Sequence, residues 1–150
     1  MALLKQFGID GTYTTYKTVP RGGGQTRQEA AQVKAADGNR ALTALSAALA
    51  AGKAAMVDVD ADSIVKAANG QVSDTIATET NHMVVVTGVD IKAGLVYLND
   101  GNLSKGSVGI PMKAFLDSWG GADNFGLVTA QKAVSEASLP AATVTLSIAA

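Results

Sequence analysis

The chain has 150 residues and a mass of 15.2 kDa, enough for one domain with a real core and too few for two. Hydrophobic residues make up 47% and charged residues 17%, which excludes a disordered chain. A formal net charge of -1 gives no field for nucleic acid or an anionic membrane, so neither is expected as a partner.

Cysteine is absent, which excludes a disulfide framework and thiolate metal sites but says little about compartment. With three Phe, three Tyr and one Trp, the core has to be built from Ala, Val, Leu and Ile. The start, Met1 to Ile9, contains no apolar run of signal-peptide length, and nothing reaches membrane-spanning length. A soluble chain is expected, with its location open.

Leu3, Leu4 and Phe7 before Gly8 read as the last turns of a helix closed by a C-cap glycine. Residues Thr12 to Val19 are rich in Thr and Tyr and predict a strand, which Pro20-Arg21-Gly22-Gly23-Gly24 ends. Thr26 and Glu29 form a capping box at the start of a short helix that runs to about Ala36, with Asp37-Gly38 closing it. From Asn39 as N-cap, Leu42, Leu45 and Leu49 recur at helical spacing until Gly52.

Ala54 to Val59 predicts a buried strand, and Asp62 to Ala68 a weak helix or turn before a polar loop from Asn69 to Thr80. Met83 to Val89 and Gly94 to Leu98 are two strands whose connection, Asp90 to Ala93, suits an antiparallel hairpin. The first is apolar almost throughout and should be central. Pro111 starts an amphipathic helix carrying Phe115, Leu116 and Trp119, with the two aromatics pinning it to the sheet and Gly120-Gly121 ending it. Phe125 to Thr129 is the last strand of the core. In the tail, Val144, Leu146 and Ile148 alternate with Thr143, Thr145 and Ser147, which is strand periodicity. The domain is read as residues 1–130, followed by a tail, 131–150, with a possible extra strand.

Chemistry concentrates on the single histidine. His82 stands at the mouth of one predicted strand, and Asn99-Asp100 ends the next. At a rise of roughly 3.3 Å per residue on both strands, a short antiparallel hairpin brings the start of one beside the end of the other. His82 and Asp100 can therefore meet, while period-2 alternation turns Asn99 to the opposite face unless the strand has already ended there.

Six landmarks stand in order: Leu42 to Lys53, Met56 to Asp60, His82 to Asp90, Val96 to Asp100, Ile110 to Trp119 and Asn124 to Val128. Over roughly Leu42 to Thr129 the chain resembles the C-terminal half of the bacteriocin-processing (double-glycine type) cysteine peptidase-like domains, bacterial members of the papain-like group. That resemblance implies an α+β, papain-like cysteine peptidase-like fold in incomplete form, with helices packed on an antiparallel sheet. It also implies catalytic positions: His82 as base and Asp100 as orienter, with Asn99 as the alternative orienter, facing a thiolate.

The departures weigh as much. In that group the nucleophilic Cys and an oxyanion-hole Gln belong to a helix upstream of the His, and that helix is missing here rather than mutated. Thr26 is the one hydroxyl at a predicted helix start in the first third, and the capping box accounts for it. The Asp-Pro-Gly turn usual after the second strand is Asp100-Gly101-Asn102 here.

Other signals have plainer explanations. Asp58-x-Asp60-x-Asp62 begins like a calcium loop but has Ser63 at the sixth position and Asn69 at the twelfth, so strand-end aspartates account for it. Gly22 to Gly24 lacks the Gly-Lys-Ser/Thr of a phosphate loop. Glu79, His82 and Asp100 are a poor zinc set, with a single nitrogen donor, so no metal or cofactor is expected.

The leading expectation is a degenerate or split peptidase-like domain, inert as a hydrolase on its own chain. The alternatives are a non-catalytic module that binds a peptide or protein through the cleft or an edge strand, and a chain whose gene start was assigned too late.

Overall fold

The computed structural model describes residues 5–6, 8–18, 26–71 and 80–132. Among them, six strands form one antiparallel sheet: β1 (Gly11–Thr14), β2 (Lys53–Val59), β3 (His82–Asp90), β4 (Leu95–Asn99), β5 (Val108–Pro111) and β6 (Gly126–Lys132), in the order β1-β6-β2-β3-β4-β5. Three helices join them: α1 (Arg27–Ala50), α2 (Ala61–Ala68) and α3 (Met112–Trp119). The architecture is mixed α and β with an all-antiparallel sheet, and β3 is an interior strand, as its apolar run predicts. No helix among the described residues is long and apolar enough to cross a membrane.

One core cluster holds the layers together. Ala55, Val57 and Val59 of β2, Val84 and Val86 of β3, and Val96 and Leu98 of β4 alternate inward and meet Ala41, Leu42 and Leu45 of α1, Ile64 of α2, and Phe115 and Trp119 of α3. The Phe115 and Trp119 rings are 5.3 Å apart and tilted, and the Trp119 indole donates to the Phe125 carbonyl at 2.7 Å. These aromatics pin α3 as expected. Ser118, also buried, accepts from the Asp60 amide at 2.9 Å and so ties the last turn of α3 to the end of β2.

The sequence reading of two helices broken at Asp37-Gly38 is corrected: α1 is continuous from Arg27 to Ala50. Both residues are buried inside it. The Asp37 carboxylate accepts from the Thr18 amide at 2.7 Å, the Thr18 hydroxyl at 2.6 Å and Arg40, so a residue that usually turns the backbone is occupied by tertiary partners. Gly38 faces α3, where an added Cβ would lie 3.5 Å from Leu116 Cδ2. The Thr26 capping box is present, with reciprocal bonds to Glu29. The Thr26 amide and hydroxyl hold the Glu29 carboxyl below its ordinary value.

Three further boundaries shift. The predicted strand Thr12–Val19 is regular only over Gly11–Thr14, because Tyr16 then bonds to Asp123 and Thr18 to Asp37. Val108–Pro111, a stretch to which the sequence reading gave no strand, is edge strand β5, so Pro111 ends a strand as it caps α3. β6 begins at Gly126 and runs on to Lys132, two residues past the expected end of the domain. Gly8 takes φ +70 and donates to Lys5, which fits a closing glycine; Leu3, Leu4, Phe7, Val19, Pro20 to Gly24, most of the polar loop before Thr80 and the tail from residue 133 lie outside the described residues.

Two outcomes follow for stability. Gly38→Ala is expected to raise stability by about 0.5–1 kcal/mol, the helix-interior difference between the two residues, because the new methyl meets only ordinary contact. A helix end there would give the opposite sign in thermal denaturation. For Asp37, burial raises the acid, but the Thr18 hydroxyl and amide and the Arg40 guanidinium outweigh it and hold the carboxyl below its ordinary value. The unfolded chain then binds the proton more readily. This contribution to stability is complete above the unfolded value near about pH 4 and disappears as pH falls through the folded one. Denaturant titrations of the wild type and Asp37→Asn should therefore converge at acid pH.

Candidate functional site

The site stands where β3 begins and β4 ends. Antiparallel register pairs Val59 with His82 on one side of β3 and Val85 with Asn99 on the other. Extending that register places Asp100 opposite Val84, so His82 and Asp100 share one face as diagonal neighbours. It is the face that carries Val84, Val86 and Leu98 into the core.

His82 Nε2 lies 2.6 Å from Asp100 Oδ1. A carboxylate can only accept, so Nε2 carries the hydrogen and donates, which leaves the lone pair of neutral imidazole on Nδ1. Among the described residues Nδ1 has no hydrogen-bond partner.

The two groups differ in exposure: the Asp100 side chain is fully buried and that of His82 is 24% exposed. Asp100 Oδ1 also accepts from the Asn102 amide at 2.8 Å, and the Leu103 amide donates to the Asp100 carbonyl at 3.1 Å. The Asp-Gly-Asn turn thus folds back on its own aspartate and fixes the carboxylate plane. Asp100 Oδ2 is buried with no partner among the described residues. The Asn102 side-chain nitrogen stands 3.4 Å from His82 Nε2, too far to compete with Asp100.

The backbone at His82 is held from both sides. The Asn81 amide donates to the Val59 carbonyl, and Asn81 Oδ1 accepts from the Ala61 amide at 3.2 Å, which ties the start of β3 to the end of β2 and the start of α2. Asp60 caps α2 by accepting from the Ser63 amide at 2.8 Å. Asp58 is a residue of β2 whose carboxylate takes the Thr80 hydroxyl at 2.8 Å.

Of the candidate residues, His82 and Asp100 come together. Asn99 does not join them: its Oδ1 accepts from the Ser107 amide at 2.6 Å on the other face, as alternation requires. Glu79 lies outside the described residues. Groups of three or more His, Cys, Asp or Glu side chains that could hold a metal are absent among the described residues. Sequence reasoning missed the Asn102 amide as support for Asp100; the turn signature Asp-Gly-Asn was the available signal.

Uncharacterized proteins of Mycobacterium tuberculosis and Mycobacterium bovis are 34% identical to this chain over 89 residues, which is 59% of this chain and 38% of theirs. The chain thus spans well under half the length of these relatives. No family model matches it, and no solved structure does.

The tautomer can be read directly. In nitrogen-15 NMR at a pH where the ring is neutral, Nε2 should give the protonated-type signal and Nδ1 the lone-pair type. Asp100→Ala, which removes the acceptor, should move both toward the averaged positions of exchanging tautomers; unchanged signals would show that Asp100 does not set the tautomer.

Proposed function

We propose that this chain is a degenerate or split papain-like cysteine peptidase-like domain that keeps the base and its orienter and has no hydrolytic activity of its own. The observation that carries this reading is the 2.6 Å contact between His82 Nε2 and a buried Asp100 carboxylate, with Nδ1 free of hydrogen bonds among the described residues. The α+β architecture with an antiparallel sheet and the order of the six landmarks support it.

In this reading His82 is a general base waiting for a thiol. A nucleophile placed within hydrogen-bond reach of Nδ1, about 2.6–3.2 Å for heavy atoms, would pass its proton to that atom. The Asp100 carboxylate would keep the ring from rotating and would stabilise the imidazolium that forms. Cysteine does not occur in these 150 residues, so in this reading the thiol comes from outside them. The Thr80 hydroxyl, two residues before the base, is already committed to Asp58.

The test is reconstitution. The purified chain should show no thiol-dependent cleavage of peptides and no labelling by cysteine-directed alkylating probes. Mixed with a Cys-bearing polypeptide encoded beside it, it should support peptide cleavage that His82→Ala lowers by about 100-fold or more, the usual contribution of a general base. Asp100→Asn should cost less. Cleavage indifferent to His82→Ala, or none with every such polypeptide, would count against the assignment.

A further inference from the structure

The first half of α1 and the neighbouring α3 leave a groove of about 520 Å³ between them, within the size range of ligand pockets. None of its lining residues belongs to the site at His82. Ala31, Lys34, Ala35 and Gly38 share one stripe of α1 by their helical spacing, and Met112 and Leu116 face them from α3. The exposed Lys113 and Asp117 are paired with each other at the rim.

Packing alone explains neither of two features. The first is Gly38. It is buried inside α1, and a Cβ there would lie 3.5 Å from Leu116 Cδ2, an ordinary contact. Alanine is the better helix former, so the glycine gives up helix stability and keeps the space between the helices open. Ala31 and Ala35 add only methyl groups to the same wall.

The second is Lys34. Its stem crosses Gly120 at the end of α3: Cε lies 2.6 Å and Nζ 3.4 Å from the position a Cβ at residue 120 would take. A side chain at 120 would displace the lysine, so the glycine seats it. Lys34 is partly buried, and among the described residues its ammonium has neither a carboxylate nor a hydrogen-bond partner. A cation so placed gains from an anion brought to it, and gains more where apolar walls thin the water around it.

The walls select what accompanies that anion. Residues 31–38 lie in the interior of α1, where N–H and C=O bond to one another, so an extended peptide would find few main-chain partners there. An unbranched hydrocarbon needs none. From Ala31 to Gly38 the helix advances about 10 Å, which suits a chain of medium length, and the pliable Met112 side chain adapts to its contour. We propose that this groove binds the anion of a medium-chain fatty acid, with the carboxylate on Lys34 and the acyl chain running past Gly38 and Leu116 toward Met112.

Decanoate below its micelle concentration is the probe, with decanol as its uncharged counterpart. In an NMR titration of the full chain, binding should saturate at one site, with decanoate about tenfold tighter than decanol, the size of effect that one charge-assisted hydrogen bond gives. Lys34→Gln should abolish that difference by weakening decanoate and leaving decanol unchanged. Ala35→Leu, which fills the groove from an exposed position, should weaken both. Glutamine and leucine are good helix formers at positions outside the core, and an unchanged Tm checks that each variant is folded. Cross-peaks from the acyl chain should reach the Met112 and Leu116 methyl groups. Equal affinity for the two probes, decanoate binding indifferent to Lys34→Gln, cross-peaks to Leu45 and Trp119 in place of Met112 and Leu116, or no saturable binding would overturn the proposal.

Discussion

The pairing of β3 with β4 is the constraint on which the rest depends. Val85 opposite Asn99 and Val86 opposite Leu98 put Val84, Val86, Val96 and Leu98 on the helix side, where they form the centre of the core. His82 and Asp100 belong to that same face, so the hydrophobic alternation that stabilises the sheet also brings the imidazole to the carboxylate. A slip of one residue would send the valines to solvent and break the pair at once. A bulge between Val86 and Gly88 absorbs the mismatch toward the hairpin turn and leaves the register at the site intact.

The start of β3 is fixed by more than its sheet partners. Asn81 bonds to Val59 and Ala61, and Ser118 clasps the Asp60 backbone from α3 through both its amide and its carbonyl. The end of β2, the cap of α2 and the last turn of α3 therefore meet beside His82. At the far side of the core, Asp37 does comparable work by holding the segment after β1 against α1. Such polar ties specify how elements seat on one another, whereas the Val, Leu and Ala contacts supply the bulk of the burial energy.

Much of this was legible in the chain because the signals were periodic. The alternation in β3 and β4 fixed both strands, the hairpin and the face shared by His82 and Asp100; Thr26 and Glu29 marked the start of α1. The misread pieces are those where a distant partner overrides a local preference. Asp37-Gly38 carries a helix-ending signature, yet Thr18, nineteen residues earlier, occupies the carboxylate, and Gly38 stays in the helix rather than ending it. Val108 to Pro111 holds two apolar residues, a glycine and a proline, a poor strand signal that only the neighbouring β4 makes regular. The support that Asn102 gives Asp100 comes through its backbone amide, a local bond that the Asp-Gly-Asn turn signature alone could have announced.

The energetics of the pair bear on its role. A carboxylate buried with one oxygen lacking any partner among the described residues carries a desolvation cost of about 1–3 kcal/mol, and an apolar pair of similar volume would hold β3 to β4 at least as well. Stability alone therefore favours aliphatic residues at positions 82 and 100. What the polar pair supplies and an aliphatic pair would not is a fixed tautomer: a hydrogen committed on Nε2 and a basic lone pair on Nδ1 of a ring that is still partly exposed. A histidine serving only as structure would gain by engaging both nitrogens, because each bond made offsets burial. The asymmetry of this one, tightly held at one nitrogen and without a partner among the described residues at the other, fits the proposal of a base kept ready for a proton donor.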